Sequence, residues 1–161
     1  MSLIGIVGFS GEGKSTSIGE NKDIGIIGLN PKETVLINVA GKDLPFKGGL
    51  KLYSGELSKG GNYLESSDSN VISKAIAYIS DNRKEVKQIV IDDSQYLMSF
   101  EFMNRARETG YQKFSDIGVN ITRILNAGRN TRKDLKVYML WHPEKDMMGT
   151  LKMKTVGKMV S

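Results

Sequence analysis

The stretch Gly8-Phe9-Ser10-Gly11-Glu12-Gly13-Lys14-Ser15 decides the fold, because it satisfies the phosphate-binding loop pattern G-x-x-x-x-G-K-[ST]. Glycines in such a loop let successive backbone N–H groups converge on phosphate oxygens. We therefore predict that these eight residues and Thr16 bind a nucleotide, with Lys14 on the β and γ phosphates. The hydroxyl of Ser15 is predicted to bind Mg²⁺.

The segments on either side of this loop fit an α/β fold. Leu3-Ile4-Gly5-Ile6-Val7 is apolar and rich in β-branched residues, which predicts a strand buried on both faces of a parallel sheet. We expect a helix to begin near Lys14 and to point the positive end of its dipole at the bound anion. Gly19, Gly25 and Gly28 predict that this helix is short or interrupted.

A second chemical element lies at Gln88-Ile89-Val90-Ile91-Asp92-Asp93, where an apolar run leads directly into two carboxylates. This matches the Walker B pattern of P-loop proteins, in which the first acid, here Asp92, holds Mg²⁺ through water. Asp93 follows where many ATPases of the ASCE division carry a catalytic Glu, so we predict Asp93 as the base. An apolar run that ends in Asp is common by itself, but at this distance downstream of a phosphate loop it is specific.

The only histidine, His142, ends a further predicted strand that begins at Val137. A parallel sheet would position it near the γ-phosphate, and we predict a catalytic sensor role. A purely structural histidine is the alternative.

The rest of the chain predicts a second strand over Thr34 to Val39 and then a loop from Ala40 to Gly49 that carries Lys42 and Lys47. These two lysines are candidate DNA-binding residues, and a solvated loop is the alternative.

The remaining predicted elements are a short strand at 51–53, three helices and a hairpin strand. The helices run from Asp68 or Ser69 to about Arg83, from Ser99 to Glu108 and from Phe114 to Ala127, and the hairpin strand covers Gly149 to Met159.

Composition sets the limits of the function. The 161 residues predict one domain that buries roughly 70% of the surface of the unfolded chain. Without cysteine, the chain has no disulfide, thiolate metal site or cysteine nucleophile. It has neither a membrane span nor a signal peptide, so we expect a cytoplasmic protein. The net charge of +5 is compatible with nucleic-acid binding or with a lysine-rich surface.

Several segments together resemble one family: GFSGEGKST, NPKETVLINVAGKDLPFKGG, IVIDDSQYLM and the ending KMKTVGKM. They are similar to phage-encoded ATP-binding proteins of the AAA/RecA-like superfamily, some of which are single-strand annealing recombinases. The resemblance covers nearly the whole chain. It implies a RecA-like three-layer sandwich with a mainly parallel central sheet and a C-terminal hairpin. It also implies ATP and Mg²⁺ as cofactors, rings or filaments, single-stranded DNA as partner, and the cytoplasm of a bacterial host as location.

Lys154 and Lys158 are candidate trans-acting residues, since cations from one subunit of such an assembly can reach the nucleotide of its neighbour. The alternative is that they protect an exposed strand edge. The chain ends at Ser161 without a stop or cap signal, so we expect the natural chain to continue.

Two other functions remain open. One is a P-loop kinase for a nucleotide or another small molecule, which the lack of an arginine-rich lid disfavours. The other is a nucleotide-gated DNA-binding module with negligible turnover, which Asp93 in place of Glu keeps open.

Overall fold

A parallel sheet of five strands organises the computed structural model, which describes residues 2–156. The strands are β1 (Leu3–Val7), β2 (Thr34–Asn38), β3 (Tyr63–Glu65), β4 (Gln88–Asp92) and β5 (Lys136–Trp141). Their order across the sheet is β1-β5-β4-β2-β3. Because all five are parallel, the segments that leave β1, β2, β4 and β5 emerge at the same edge.

Of the four α-helices within residues 2–156, three cover one face of this sheet. They are α2 (Ser69–Asn82), α3 (Gln95–Asn104) and α4 (Gln112–Arg129), whereas α1 (Gly49–Leu52) is a single turn elsewhere. Asp68 begins α2 as predicted, because its Oδ1 accepts hydrogen bonds from the N–H groups of Asn70 and Val71. The core on this face is built from β-branched and aliphatic side chains, among them Ile37, Ile76, Ile91, Ile121 and Val137.

The opposite face is covered by irregular chain instead of long helices. Its smaller core contains Ile18, Leu36, Phe46, Tyr53, Val90 and Leu140. The turn after residues 8–15 supplies Ile18 and the loop after β2 supplies Phe46, so both segments pack on this face of the sheet.

A two-stranded antiparallel hairpin follows β5. It consists of β6 (Pro143–Lys145) and β7 (Leu151–Met153), with Pro143 opposite Met153. The indole Nε1 of Trp141 donates to the carbonyl of Lys154 at 2.7 Å, and the N–H of Lys154 donates to the carbonyl of His142 at 3.0 Å. The hairpin is thereby fixed to the end of β5.

The α/β class, the mainly parallel central sheet and the hairpin are confirmed, but burial of β1 on both faces is wrong. β1 is an edge strand that pairs only with β5. Ile6 and Val7 are consequently 41% and 46% exposed. An apolar strand sequence does not tell a central strand from an edge strand, because both bury at least part of their side chains.

The short or interrupted helix expected to begin near Lys14 is reduced to a single 3₁₀ turn. The loop passes into a 3₁₀ turn at Thr16–Ile18, so no α-helix directly follows the loop to point its dipole at the site. Gly19 ends the turn, and a Cβ there would lie 2.3 Å from the ring of Phe46. Close packing of Phe46 on this glycine holds the chain in its irregular path.

Three other predictions are corrected. The segment predicted as a strand at 51–53 contains the end of α1, and β3 lies further along at Tyr63–Glu65. The first of the two helices before β5 begins at Gln95, because Leu97 and Met98 pack into the core. The spacing of Val71 with the other apolar residues of α2 predicts that it faces the core, but Val71 is 43% exposed. Among the described residues, no helix is long and apolar enough to cross a membrane.

Candidate functional site

The loop Gly8–Ser15 leaves the end of β1 and is shaped by its own polar contacts. Gly11 and Gly13 both have φ of +84°, in the left-handed region that favours glycine. The N–H of Phe9 donates to Glu12 Oε2 at 2.6 Å, which fixes the first turn. Lys14 Nζ donates to the carbonyls of Gly8 and Phe9, at 2.5 and 2.8 Å. The ammonium group therefore lies over the loop, where phosphate binding by this motif requires it.

Ser15 contacts an acid that is 77 residues away in the sequence. Its hydroxyl donates to Asp92 Oδ1 at 2.8 Å, which joins the phosphate loop to the end of β4. The same oxygen accepts the N–H of Asp93 at 2.9 Å. Asp92 is only 6% exposed, and burial raises its pKa above the ordinary value, although the hydrogen bond from Ser15 opposes that shift.

Asp93 has a different set of partners from those of Asp92. It leaves the strand with φ of +58°, a conformation that Asp tolerates better than most residues. Its Oδ2 accepts from Lys42 Nζ at 2.8 Å, and its Oδ1 accepts from Gln95 Nε2 at 3.1 Å. The Nε2 of His142 lies 3.4 Å from Asp93 Oδ1.

These partners outweigh the effect of burial on Asp93. Burial by itself would raise the pKa of the carboxyl, but the hydrogen bonds from Lys42 and Gln95 hold the pKa below its ordinary value. Asp93 is therefore an ionised carboxylate at neutral pH. A lowered pKa favours orienting a water molecule over taking its proton.

Lys42, which is predicted to bind DNA, lines the cleft with its side chain 57% exposed. Its ammonium group is 4.5 Å from the centre of the Tyr96 ring and pairs with Asp93. Asn38, the last residue of β2, donates from Nδ2 to the carbonyl of Lys42 at 2.7 Å and fixes the loop. Sequence reasoning missed Asn38 and Gln95, although a polar residue ending a buried strand was a usable signal for Asn38.

The cleft enclosed by these segments has a volume of about 270 Å³. It is lined by Ser10, Gly11, Gly13, Lys14, Ser15, Thr16, Asn38, Lys42, Asp43, Pro45, Asp92, Asp93 and His142. Most predicted nucleotide residues thus share one cleft with both acids and the histidine. Gly8, Phe9 and Glu12 do not line the cleft. They contribute to the shape of the loop through the hydrogen bond from Phe9 to Glu12 and the one from Lys14 to the carbonyl of Gly8.

Three other predicted residues lie away from the cleft lining or outside the described chain. Lys47 is exposed and is not among the residues that line the cleft. Lys154 has an exposed side chain, and its backbone is joined to His142 and Trp141. Lys158 lies outside the described residues 2–156.

Within residues 2–156, no group of three or more His, Asp or Glu side chains is arranged to hold a metal ion. Oxygen donors from Ser15 and Asp92 are nevertheless adjacent. Mg²⁺ in nucleotide sites commonly takes one or two protein ligands, and phosphate oxygens and water complete its shell.

A scan against protein-family models found no match to this chain, and a search among curated proteins found no significant relative.

Proposed function

We propose that this chain is a P-loop ATPase with a RecA-like core, which binds ATP with Mg²⁺ and couples the state of the nucleotide to binding of single-stranded DNA. The observation that carries the proposal is the 2.8 Å hydrogen bond between Ser15 Oγ and Asp92 Oδ1. Two motifs that are far apart in the sequence predicted these two residues as magnesium ligands. Their contact is what a Walker A and a Walker B element of one site require.

Phosphate binding in this proposal depends on charge and backbone groups in the loop. Lys14 provides a full positive charge, and left-handed glycines at positions 11 and 13 turn the backbone of the loop around the cleft. A helix dipole contributes little, because only a three-residue 3₁₀ turn follows the loop. Lys14 is therefore expected to matter more here than in a loop that precedes a long helix.

The donor set at Ser15 and Asp92 fits magnesium, since both side chains offer the hard oxygen atoms that this ion prefers. When bound, Mg²⁺ neutralises charge on the β and γ phosphates. The positive charge of the ion would also offset the cost of burying the negative charge of Asp92.

Hydrolysis requires a water molecule in line with the bond between the β and γ phosphates. Asp93 is an ionised acceptor at the cleft and is suited to orient that water. His142 lies beside it at the end of β5 and is suited to contact the terminal phosphate. This division of roles keeps Asp92 for the metal and Asp93 for the water.

The DNA part of the proposal is supported by the net charge of +5 and by exposed lysines such as Lys47. Assembly into rings or filaments would allow Lys154 and Lys158 to act on the nucleotide of a neighbouring subunit. Phage origin and a role in recombination are proposed on the resemblance of the motifs alone.

The test is calorimetric binding of ATP and ADP with Mg²⁺, together with phosphate release in the presence and absence of single-stranded DNA. We expect Lys14→Ala to weaken ATP binding by at least about tenfold and to abolish turnover, because a charge-assisted contact to phosphate is lost. Lys22→Ala is the matched control, since Lys22 is an exposed lysine outside the cleft. Unchanged ATP affinity in Lys14→Ala would contradict the proposal.

The same assay separates the other functions. Consumption of ATP that depends on a small-molecule acceptor, without release of free phosphate, would indicate a kinase. Nucleotide-dependent DNA binding without turnover would indicate a gated binding module.

A further inference from the structure

Lys42 is held in place from several directions at once. Its ammonium group is 2.8 Å from Asp93 Oδ2 and 3.5 Å from the hydroxyl of Tyr96, and it lies over the Tyr96 ring. Its carbonyl accepts from the side chain of Asn38. Holding a lysine side chain in one position costs side-chain entropy, and a lysine that is only solvated does not bear this cost. The arrangement instead holds a cation at a fixed point of the cleft.

The contacts of Lys42 leave part of its hydrogen-bonding capacity unused. An ammonium group has three N–H donors, and Asp93 is its one close acceptor among the described residues. The side chain of Lys42 is 57% exposed and lines the cleft. The hydrogen bond to Asp93 also raises its pKa, so the group is charged at neutral pH.

The two lysines of the cleft come from different segments. Lys14 belongs to the loop after β1, whereas Lys42 belongs to the loop after β2 and contacts Asp93 instead of the Ser15–Asp92 pair. A polyphosphate held by the phosphate loop would therefore meet a second cation beside the acid and the histidine that face the reacting end.

We infer that Lys42 is a specificity-determining residue that binds the terminal phosphate of a nucleoside triphosphate and so discriminates a triphosphate from a diphosphate. Asp93 and Tyr96 are its positioning residues. This inference rests on the proposed function, because it requires a nucleotide in the cleft. It also leaves Lys47 as the lysine of this loop that is free for DNA.

The experiment measures the dissociation constants of a non-hydrolysable ATP analogue and of ADP, each with Mg²⁺, by calorimetry. Lys42→Met removes the charge and keeps an unbranched apolar side chain to pack on Tyr96, and Lys42→Ala is the second variant. Loss of one charge-assisted contact should weaken the triphosphate analogue by about tenfold to a hundredfold. The affinity for ADP should stay within about twofold, because ADP lacks the phosphate that Lys42 contacts.

Lys51→Ala is the matched control, since Lys51 is an exposed lysine nearby in the sequence and outside the cleft. It should change neither constant. Equal weakening of both nucleotides in Lys42→Met would overturn the inference and would make Lys42 a structural partner of Asp93. Unchanged binding of both would overturn it as well.

The two proposals fail in different ways. If the wild-type chain binds neither nucleotide, the proposed function fails and the inference fails with it. If the wild-type chain binds both, and Lys42→Met retains the wild-type ratio of the two constants, only the inference fails.

Discussion

Replacement of Asp92 by Asn should raise the stability of the free protein while it weakens nucleotide binding. Asp92 is a buried carboxylate whose oxygen accepts from Ser15 and from the Asp93 N–H, and Lys42 pairs with the neighbouring carboxylate instead. Burial raises its pKa. Asn keeps one oxygen acceptor for both hydrogen bonds and removes the charge that burial disfavours.

The direction of this change in stability follows from the direction of the pKa shift of Asp92. A group whose pKa is raised by folding contributes stability below its unfolded pKa, and that stability is lost as the pH rises through the folded pKa. Above the folded pKa, the ionised form of Asp92 is therefore a net cost to folding. Removal of this charge in Asp92→Asn should stabilise the protein by on the order of 1 kcal/mol. For a chain of this length, that raises the melting temperature by about 2–4 °C.

The assay is thermal unfolding at pH 7, with and without Mg²⁺ and a non-hydrolysable ATP analogue. At a hundred times its dissociation constant, a ligand stabilises the wild-type protein by about 2.7 kcal/mol. Asp92→Asn should lose most of that gain, because one of the two proposed metal ligands is weakened. The variant should thus melt above the wild type without ligand and below it with ligand.

Asp93→Asn is the matched variant at the neighbouring residue, and it should lower the stability of the free protein. The contacts from Lys42 and Gln95 lower the pKa of Asp93 against the effect of burial, so its charge contributes stability that is present above its unfolded pKa and lost as the pH falls. The variant should lose roughly 1 kcal/mol or less, because Lys42 is partly exposed. Asn tolerates the positive φ at this position, so backbone strain does not confuse the comparison.

Two results would refute this reasoning. A lower melting temperature of ligand-free Asp92→Asn would mean that hydrogen bonding outweighs the cost of the buried charge. A ligand-induced gain as large as that of the wild type would mean that Asp92 does not bind the metal.

Two further outcomes are expected. Asp68→Ala removes the cap of α2 and should cost about 1 kcal/mol, seen as a lower denaturation midpoint, whereas an unchanged midpoint would mean that solvent satisfies the N–H groups of Asn70 and Val71. Binding to a single-stranded oligonucleotide should weaken steeply with salt, and Lys47→Ala should reduce the slope in a fluorescence titration, whereas no binding at low salt would contradict the DNA part of the proposal.

The sequence was most informative where the structure depends on the local chemistry of one residue and its neighbours in the chain. Left-handed glycines at positions 11 and 13, the capping aspartate at 68 and the carboxylates after an apolar strand were all predictable, because each follows from local chemistry. The α/β class followed from apolar runs alternating with an amphipathic helix.

Features that depend on the rest of the fold could not be predicted. The edge position of β1 is set by strand order, which local hydrophobicity does not specify. The glycines predicted an interrupted helix after Ser15, but the packing of Phe46 against Gly19 joins residues far apart in the sequence and could not be predicted. The pairing of Lys42 with Asp93 is a similar long-range contact, and a loop lysine looks the same in sequence whether it is solvated or paired.

The position of the only tryptophan gives this protein an internal optical probe. Trp141 is 1% exposed, its carbonyl accepts the N–H of Gly8 at the base of the phosphate loop, and its indole bonds to the carbonyl of Lys154. Selective excitation of indole therefore reports on one junction, where the loop, β5 and the hairpin meet. Under the proposed function, we expect nucleotide entry to change the emission of this residue, which stopped-flow mixing can record without any attached dye.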